Sequence, residues 1–212
     1  MNDISQADRY DLEDLEYVTI RVTSDFPAVQ MSEPNEAVLD LNGDIMIDNG
    51  GDDDSRNQKI GYIRAYLVDS SVCNENDFSV LDTMDAHSQD LAEFLVVMDR
   101  QGSVKERICD QFSTFFQRLL VLDRMRIEPQ YRGHNLGLFA IYRMVQMYGQ
   151  GALSLLKAYP FEIKKDDVPT DEIHRRIRKL ESYYARLGFR RIRGTSLMGW
   201  PWDRSMKRPK LV

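Results

Sequence analysis

Between Arg118 and Gly149 the chain reads RLLVLDRMRIEPQYRGHNLGLFAIYRMVQMYG, and this stretch restricts the fold more than any other. The apolar-rich run up to Ile127 predicts a strand, and Pro129, which has no N–H to give a ladder, ends it. A turn carrying Gly133 follows. Next comes a run of helical periodicity, from Asn135 to its closing Gly149. A strand that empties through a glycine turn into a helix gathers several backbone N–H groups at one point. The helix dipole adds partial positive charge there, so a phosphate or pyrophosphate is the natural occupant. Gly133 and Gly137, without a Cβ, let the backbone close on such an anion. The loop is not the phosphate loop that ends in Lys-Ser/Thr, because no such pair follows. Nor is it the dinucleotide fingerprint, whose third glycine and preceding βαβ context are missing. Taken alone, it also reads as a plain strand–helix connection.

The surrounding pattern supplies the architecture. EYVTIRVTSD (16–25) alternates Val18, Ile20 and Val22 with polar neighbours, as a half-buried strand does. DIMID and KIGYIRAYLVDSS flank NGGDDDSRNQ, which suits an antiparallel hairpin. The aspartates Asp44, Asp48, Asp52, Asp53 and Asp54 lack the loop glycine and closing glutamate of an EF-hand and read as a solvated turn. From Asp77 to Met98, Val80, Met84, Leu91, Leu95 and Met98 recur at helical spacing, with His87 on the same stripe. VKERICDQFSTFF predicts a further helix. After the central helix come a strand ALSLLKAY ending at Pro160 and a helix capped by Thr170, with Asp171 and Glu172 in its first turn. The last strand is FRRIRGTSLMGW. Antiparallel strands first, then strand–helix–strand–helix–strand, predict an α/β (α+β) fold: one mixed central sheet flanked by helices. The organisation expected is an acidic extension over 1–15, a single domain over 16–205 and a basic tail over 206–212.

Composition narrows the class. With 212 residues and 42% hydrophobic content the chain can bury a full core. It shows no membrane-spanning run and no secretory leader, so a cytoplasmic protein is expected, with no membrane partner. Cys73 and Cys109 have no metal spacing and read as reduced thiols; three scattered histidines argue against zinc. The net charge of −6 conceals an asymmetry. Residues 1–54 carry 2 Lys/Arg against 15 Asp/Glu, whereas 118–212 carry 20 against 9. The basic half favours a polyanion, either a phosphorylated cofactor or a nucleic acid, or the two halves neutralise one another across the fold.

Ile127-Glu128-Pro129-Gln130-Tyr131-Arg132-Gly133-His134-Asn135-Leu136-Gly137 resembles motif A of the GNAT superfamily of N-acetyltransferases: an apolar residue, any residue, Pro, then Arg/Gln-x-x-Gly-x-Gly/Ala opening a helix. Tyr184-Ala185-Arg186-Leu187-Gly188-Phe189 is similar to that superfamily's second signature, a tyrosine ahead of Leu-Gly-Phe. The order of the motifs and the strand between them also match, so the resemblance covers roughly 118–199 and extends loosely to the hairpin at 44–69. It implies a GNAT-like fold and acetyl-CoA as cofactor. Met125, Arg126 and Ile127 would then pair through their backbone with the pantetheine arm. Arg132 would open the loop, and the N–H groups of Gly133, His134, Asn135, Leu136, Gly137 and Leu138 would hold the pyrophosphate. Asn135 stands where the first glycine of the pair is usual. Asparagine tolerates left-handed backbone, but its Cβ would crowd the phosphates, which predicts weakened binding.

Acetyl transfer to an amine needs a base for the ammonium proton and an acid for the departing thiolate. Tyr184 matches the superfamily's acid. Ile173, Ile177, Leu180, Tyr184 and Leu187 share one helix face, so Tyr184 points inward and Tyr183, about 100° round, does not. Alternation along RLLVLDRMRI puts Leu119, Val121, Asp123, Met125 and Ile127 on one face. A carboxylate there has its pKa raised by desolvation, as suits a base, and relatives with a carboxylate base often carry it on this strand. The alternative is a structural Asp123 paired with an arginine. His87 reads as a satisfied core histidine. Two departures from the superfamily limit the reading: KAYPFE lacks its asparagine, and its first helices are missing between strands one and two. The amine acceptor, small molecule or protein, is therefore open, as is a homodimer. The leading expectation is an N-acetyltransferase that works by direct transfer. Its rivals are a GNAT-fold module that binds acyl-CoA without reacting, and an RNA-binding protein, which the acidic first quarter disfavours.

Overall fold

The computed structural model describes residues 18–25, 31–48, 57–160 and 169–210. The acidic extension over 1–15 and most of the Asp-rich connection after Asp48 lie outside the described residues. Strands β1 (Val18–Thr23), β2 (Val38–Asp48) and β3 (Asn57–Asp69) come first. Helices α1 (Ser70–Glu75), α2 (Val80–His87), α3 (Gln89–Ala92) and α4 (Glu106–Phe112) follow, then β4 (Arg118–Ile127). The second half is α5 (Leu136–Tyr148), β5 (Ala152–Lys157), α6 (Thr170–Ala185), β6 (Arg190–Arg191) and β7 (Leu197–Pro201).

The strands make one seven-stranded sheet in the order β1-β2-β3-β4-β5-β7-β6. Pairing is antiparallel except between β4 and β5, which are parallel and joined through α5. This is the mixed sheet flanked by helices expected from the sequence. Each strand of its centre is buried on both faces, and Leu119 to Leu122 are all buried without alternation of polarity. Leu120, Leu122 and Leu156 pack with Ile141 and Met144 of α5 and with Leu180 of α6. Leu119, Val121 and Leu155 pack on the other face with Met84, Leu91, Ile108 and Phe112 of the first helices.

Local chemistry divides two elements that periodicity alone joins. The helical stretch over 77–98 is broken at Ser88, extended with φ −168°. The Ser88 hydroxyl accepts from Leu91 N–H at 3.2 Å and so begins a new helix instead of continuing the old one. The last strand is cut in two by the turn at Gly194 (φ +74°). At α6 the cap is Pro169 and Thr170 is the first helical residue, a one-residue correction. Cys73 and Cys109 are free and buried. No helix among the described residues is long and apolar enough to cross a membrane. Among the described residues, no group of three His, Cys, Asp or Glu is placed to hold a metal ion.

Candidate functional site

Strand β5 accompanies β4 only from Arg118↔Ala152 to Leu122↔Leu156. β4 runs on to Ile127 beside β3, with Ile63↔Met125 and Gly61↔Ile127 in register, so the sheet splits after Leu122. Between the parted strands lies a cavity of about 1090 Å³. Its floor is apolar, from Ile63, Leu122, Met125 and Leu156, and α6 closes one side with Leu180, Tyr183 and Tyr184.

A β-bulge sets the split. The β3–β4 register slips between Arg64↔Arg124 and Ala65↔Leu122, which leaves Asp123 opposite no residue of β3. The extra residue reverses the alternation of faces. Met125 and Ile127 therefore join Leu120 and Leu122 under α5 instead of sharing a face with Leu119 and Val121. The expectation of a single face holding Asp123, Met125 and Ile127 is corrected accordingly, since strict alternation cannot foresee an inserted residue.

The bulge turns the Asp123 side chain into a small ionic cluster. Arg64 Nε donates to Asp123 Oδ2 at 2.7 Å, and Arg64 Nη2 donates to Asp90 Oδ2 at 2.7 Å. Arg124 Nη2 also donates to Asp90, at 2.8 Å. Asp123 is 10% exposed at its side chain, against 38% for Asp90. Burial pushes the Asp123 carboxyl above the ordinary carboxylate range, with the Arg64 hydrogen bond pulling against it. The arginine pairing considered from sequence is thus present, beside the raised pKa that suits a base.

At the other end stands the glycine turn. Gly133 has φ +103° with open space where a Cβ would lie, so backbone conformation is its requirement. Gly137 answers a close approach: a Cβ there would meet Met125 Cε at 2.7 Å and Tyr183 Oη at 3.2 Å. Asn135 takes the left-handed conformation, φ 61°, as the residue before α5. The residue is 7% exposed, and both ends of its side-chain amide are hydrogen-bonded. Arg186 Nη1 donates to Asn135 Oδ1 at 2.9 Å, and Asn135 Nδ2 donates to the Lys210 carbonyl at 2.8 Å. The asparagine therefore ties the turn to the end of α6 and to the C-terminal tail. Arg132 Nε donates to the Ile127 carbonyl at 2.7 Å and ties the same turn back to β4.

Tyr184 lines the cavity as expected, and burial pushes its hydroxyl up to about 12, with Tyr183 beside it adding to the effect. Tyr183 also lines the cavity, which corrects the outward placement read from helix spacing. The two rings meet edge to face at 5.6 Å, and burial pushes the Tyr183 hydroxyl up, with the Leu138 backbone N–H pulling against it. The Tyr183 hydroxyl stands close to Gly137 at the start of α5. An inward stripe on α6 is about two residues wide, more than the single row that the spacing suggested.

Of the sequence candidates, Asp123, Met125, Arg126, Ile127, Arg132, Gly133, Asn135, Leu136, Gly137 and Tyr184 all border this one cavity. His134 and Leu138 do not, and Leu138 is buried in the core. His87 lies elsewhere, with Nε2 3.1 Å from Asp40 Oδ2 and Nδ1 3.3 Å from Ser88 Oγ, a satisfied polar histidine. Sequence reasoning missed Arg175, Arg176, Lys179 and Arg186, which line the α6 side. Their three- and four-residue spacing was a legible signal of a basic helix face. Glu172 holds Arg175 Nε at 2.8 Å and Arg176 Nε at 2.7 Å, which fixes where these cations stand. With Arg124, Arg126, Arg132 and Lys157 the lining is strongly cationic, and among the described residues its only acids are Asp123 and Glu172.

An apolar slot between parted strands, leading to a glycine turn among arginines, accommodates an extended ligand with an anionic end. The fold and the cavity define an α+β domain with a split-sheet cleft. Comparison with protein-family models, with curated proteins and with solved structures finds no match to this chain.

Proposed function

We propose that the chain is an acetyl-CoA-dependent N-acetyltransferase, moving an acetyl group to an amine acceptor by direct transfer. The observation that carries this reading is the parting of β4 from β5 at Leu122, which opens a slot running to the turn at Gly133. The donor set suits the cofactor: strand edge at Met125, Arg126 and Ile127 for an amide-bearing arm, and turn and cations at Arg132, Gly133 and Arg186 for phosphates. When bound, the thioester supplies an activated acetyl group. Tyr184 keeps its proton at any ordinary pH, since its pKa is about 12, and holds it available to a sulfur leaving group. Asp123 offers a carboxylate to the ammonium proton of the acceptor, and its raised pKa makes it a better base than a solvated aspartate.

A second reading is a GNAT-like module that binds acyl-CoA without transfer. The engagement of the Asn135 side chain by Arg186 and Lys210 supports it. Two measurements decide. Acetyl-CoA at about a hundred times its dissociation constant should add about 2.7 kcal/mol of stability, raising the melting temperature by roughly 5–11 °C for a domain of this size. Absence of any shift rejects both readings. Transfer of labelled acetyl to a panel of amines then separates them, because a binding module warms the transition but moves no label.

A further inference from the structure

The basic C-terminal tail returns to the candidate site. Met206 packs against the hydrophobic core. Four residues later the Lys210 carbonyl accepts from Asn135 Nδ2 at 2.8 Å, and the other side of that amide accepts from Arg186. The stretch RSMKRPK (204–210) carries four cations and no acid. Lys207, Arg208 and Lys210 are exposed, and Arg132 and Arg186 already border the same turn. Like charges repel, so electrostatics alone would drive the tail off. An apolar anchor and a neutral hydrogen bond hold it where an anion would relieve the repulsion.

We propose that the tail is a strap belonging to the anion end of the cleft. Asn135 positions it, and its cations strengthen the grip on a phosphorylated ligand. This rests on the cofactor reading only for the identity of that ligand. The strap and the anion stabilise one another: whatever binds more tightly when the tail is seated must also seat the tail.

The test is calorimetric titration of three proteins with coenzyme A and, separately, with inorganic pyrophosphate at two salt concentrations. The proteins are the full chain, a chain ending at Met206, and a full-length Lys207→Gln/Arg208→Gln/Lys210→Gln variant that keeps the carbonyl latch. The shortened chain retains Met206 and its packing, so it should fold, and thermal melting checks this. Both altered proteins should bind pyrophosphate about tenfold more weakly than the full chain. Their affinity should also fall less steeply with added salt. Asn135→Gly should change affinity less in the shortened chain than in the full chain, since the latch it removes is already gone. Equal pyrophosphate affinity in all three proteins overturns the proposal. So does tighter binding by the shortened chain, which would make the tail a plug. Tail-dependent binding of pyrophosphate without binding of coenzyme A upholds the strap and removes the cofactor reading; tail-independent binding of both does the reverse. No binding of either ligand by the full chain removes both.

Discussion

Gly61→Ala tests the split sheet directly. Gly61 lies on β3 opposite Ile127, on the segment of β4 that has left β5. A Cβ added there falls 2.3 Å from the Arg126 carbonyl oxygen and 3.2 Å from Ile127 Cα. Real Cβ atoms keep at least 3.0 Å, so the strands must separate locally by about 0.7 Å. The obstacle is backbone, which cannot rotate aside as the end of a methionine can. Overpacking of this kind costs typically about 1–3 kcal/mol. Against it, alanine in a strand interior regains roughly 0.5–1 kcal/mol of glycine's entropic disadvantage. The clash wins, and the expected net loss is about 1–2 kcal/mol, or roughly 2–8 °C in melting temperature. Urea unfolding should show a lower midpoint at unchanged slope, the signature of lost stability without a change in exposed surface. Affinity for coenzyme A should fall as well, because displacing Arg126 also shifts its neighbours Met125 and Ile127 on the strand that would hold the arm. A Gly61→Ala protein as stable as the parent would show that the β3–β4 contact is looser than this geometry, and the reasoning would fail.

Tyr184→Phe should lower kcat about 10²- to 10⁴-fold with little change in acetyl-CoA affinity; equal turnover on a true acceptor removes Tyr184 from the acid's role. With a hydroxyl pKa near 12, Tyr184 should also contribute no alkaline limb to the pH–rate profile below about pH 10. For Asp123 the pKa is raised on folding from 3.8, so the folded chain takes up this proton first. Its contribution to stability is full below the unfolded value and is lost as pH rises through the folded one. Asp123→Asn, whose amide oxygen still accepts from Arg64, should therefore gain stability relative to the parent as pH climbs from about 4 toward neutrality. A gap that widens in the opposite direction would contradict the raised pKa.

Much of this architecture was legible in the chain. The strand at Arg118–Ile127 and the helix at Leu136–Tyr148 have the bounds that their periodicity, Pro129 and Gly149 imply. Ten of the twelve site candidates border one cavity because motif-bearing residues cluster at the end of one strand and the start of one helix. What escaped were single-residue events. Ser88 restarts a helix with one hydroxyl, Asp123 enters the strand as an extra residue, and Tyr183 shares an inward stripe wider than one row. The cationic α6 face escaped because its pairing with Glu172 reads, along the chain, as an ordinary solvated helix surface.

By itself the sequence determined the order and kind of elements, since period, caps and turn residues act over a few positions and need no distant partner. It also placed a glycine turn at the mouth of α5 and the excess of basic residues in the second half of the chain. Tertiary structure alone decided where the sheet opens, because the bulge exists only as a mismatch between β3 and β4. It decided the state of Asp123, whose partners Arg64 and Asp90 lie on other elements. And it decided the purpose of the asparagine in the glycine turn: Asn135 meets Arg186 and Lys210, 51 and 75 residues away. Long-range contacts of this kind form only once packing has brought the elements together, and no local pattern encodes them.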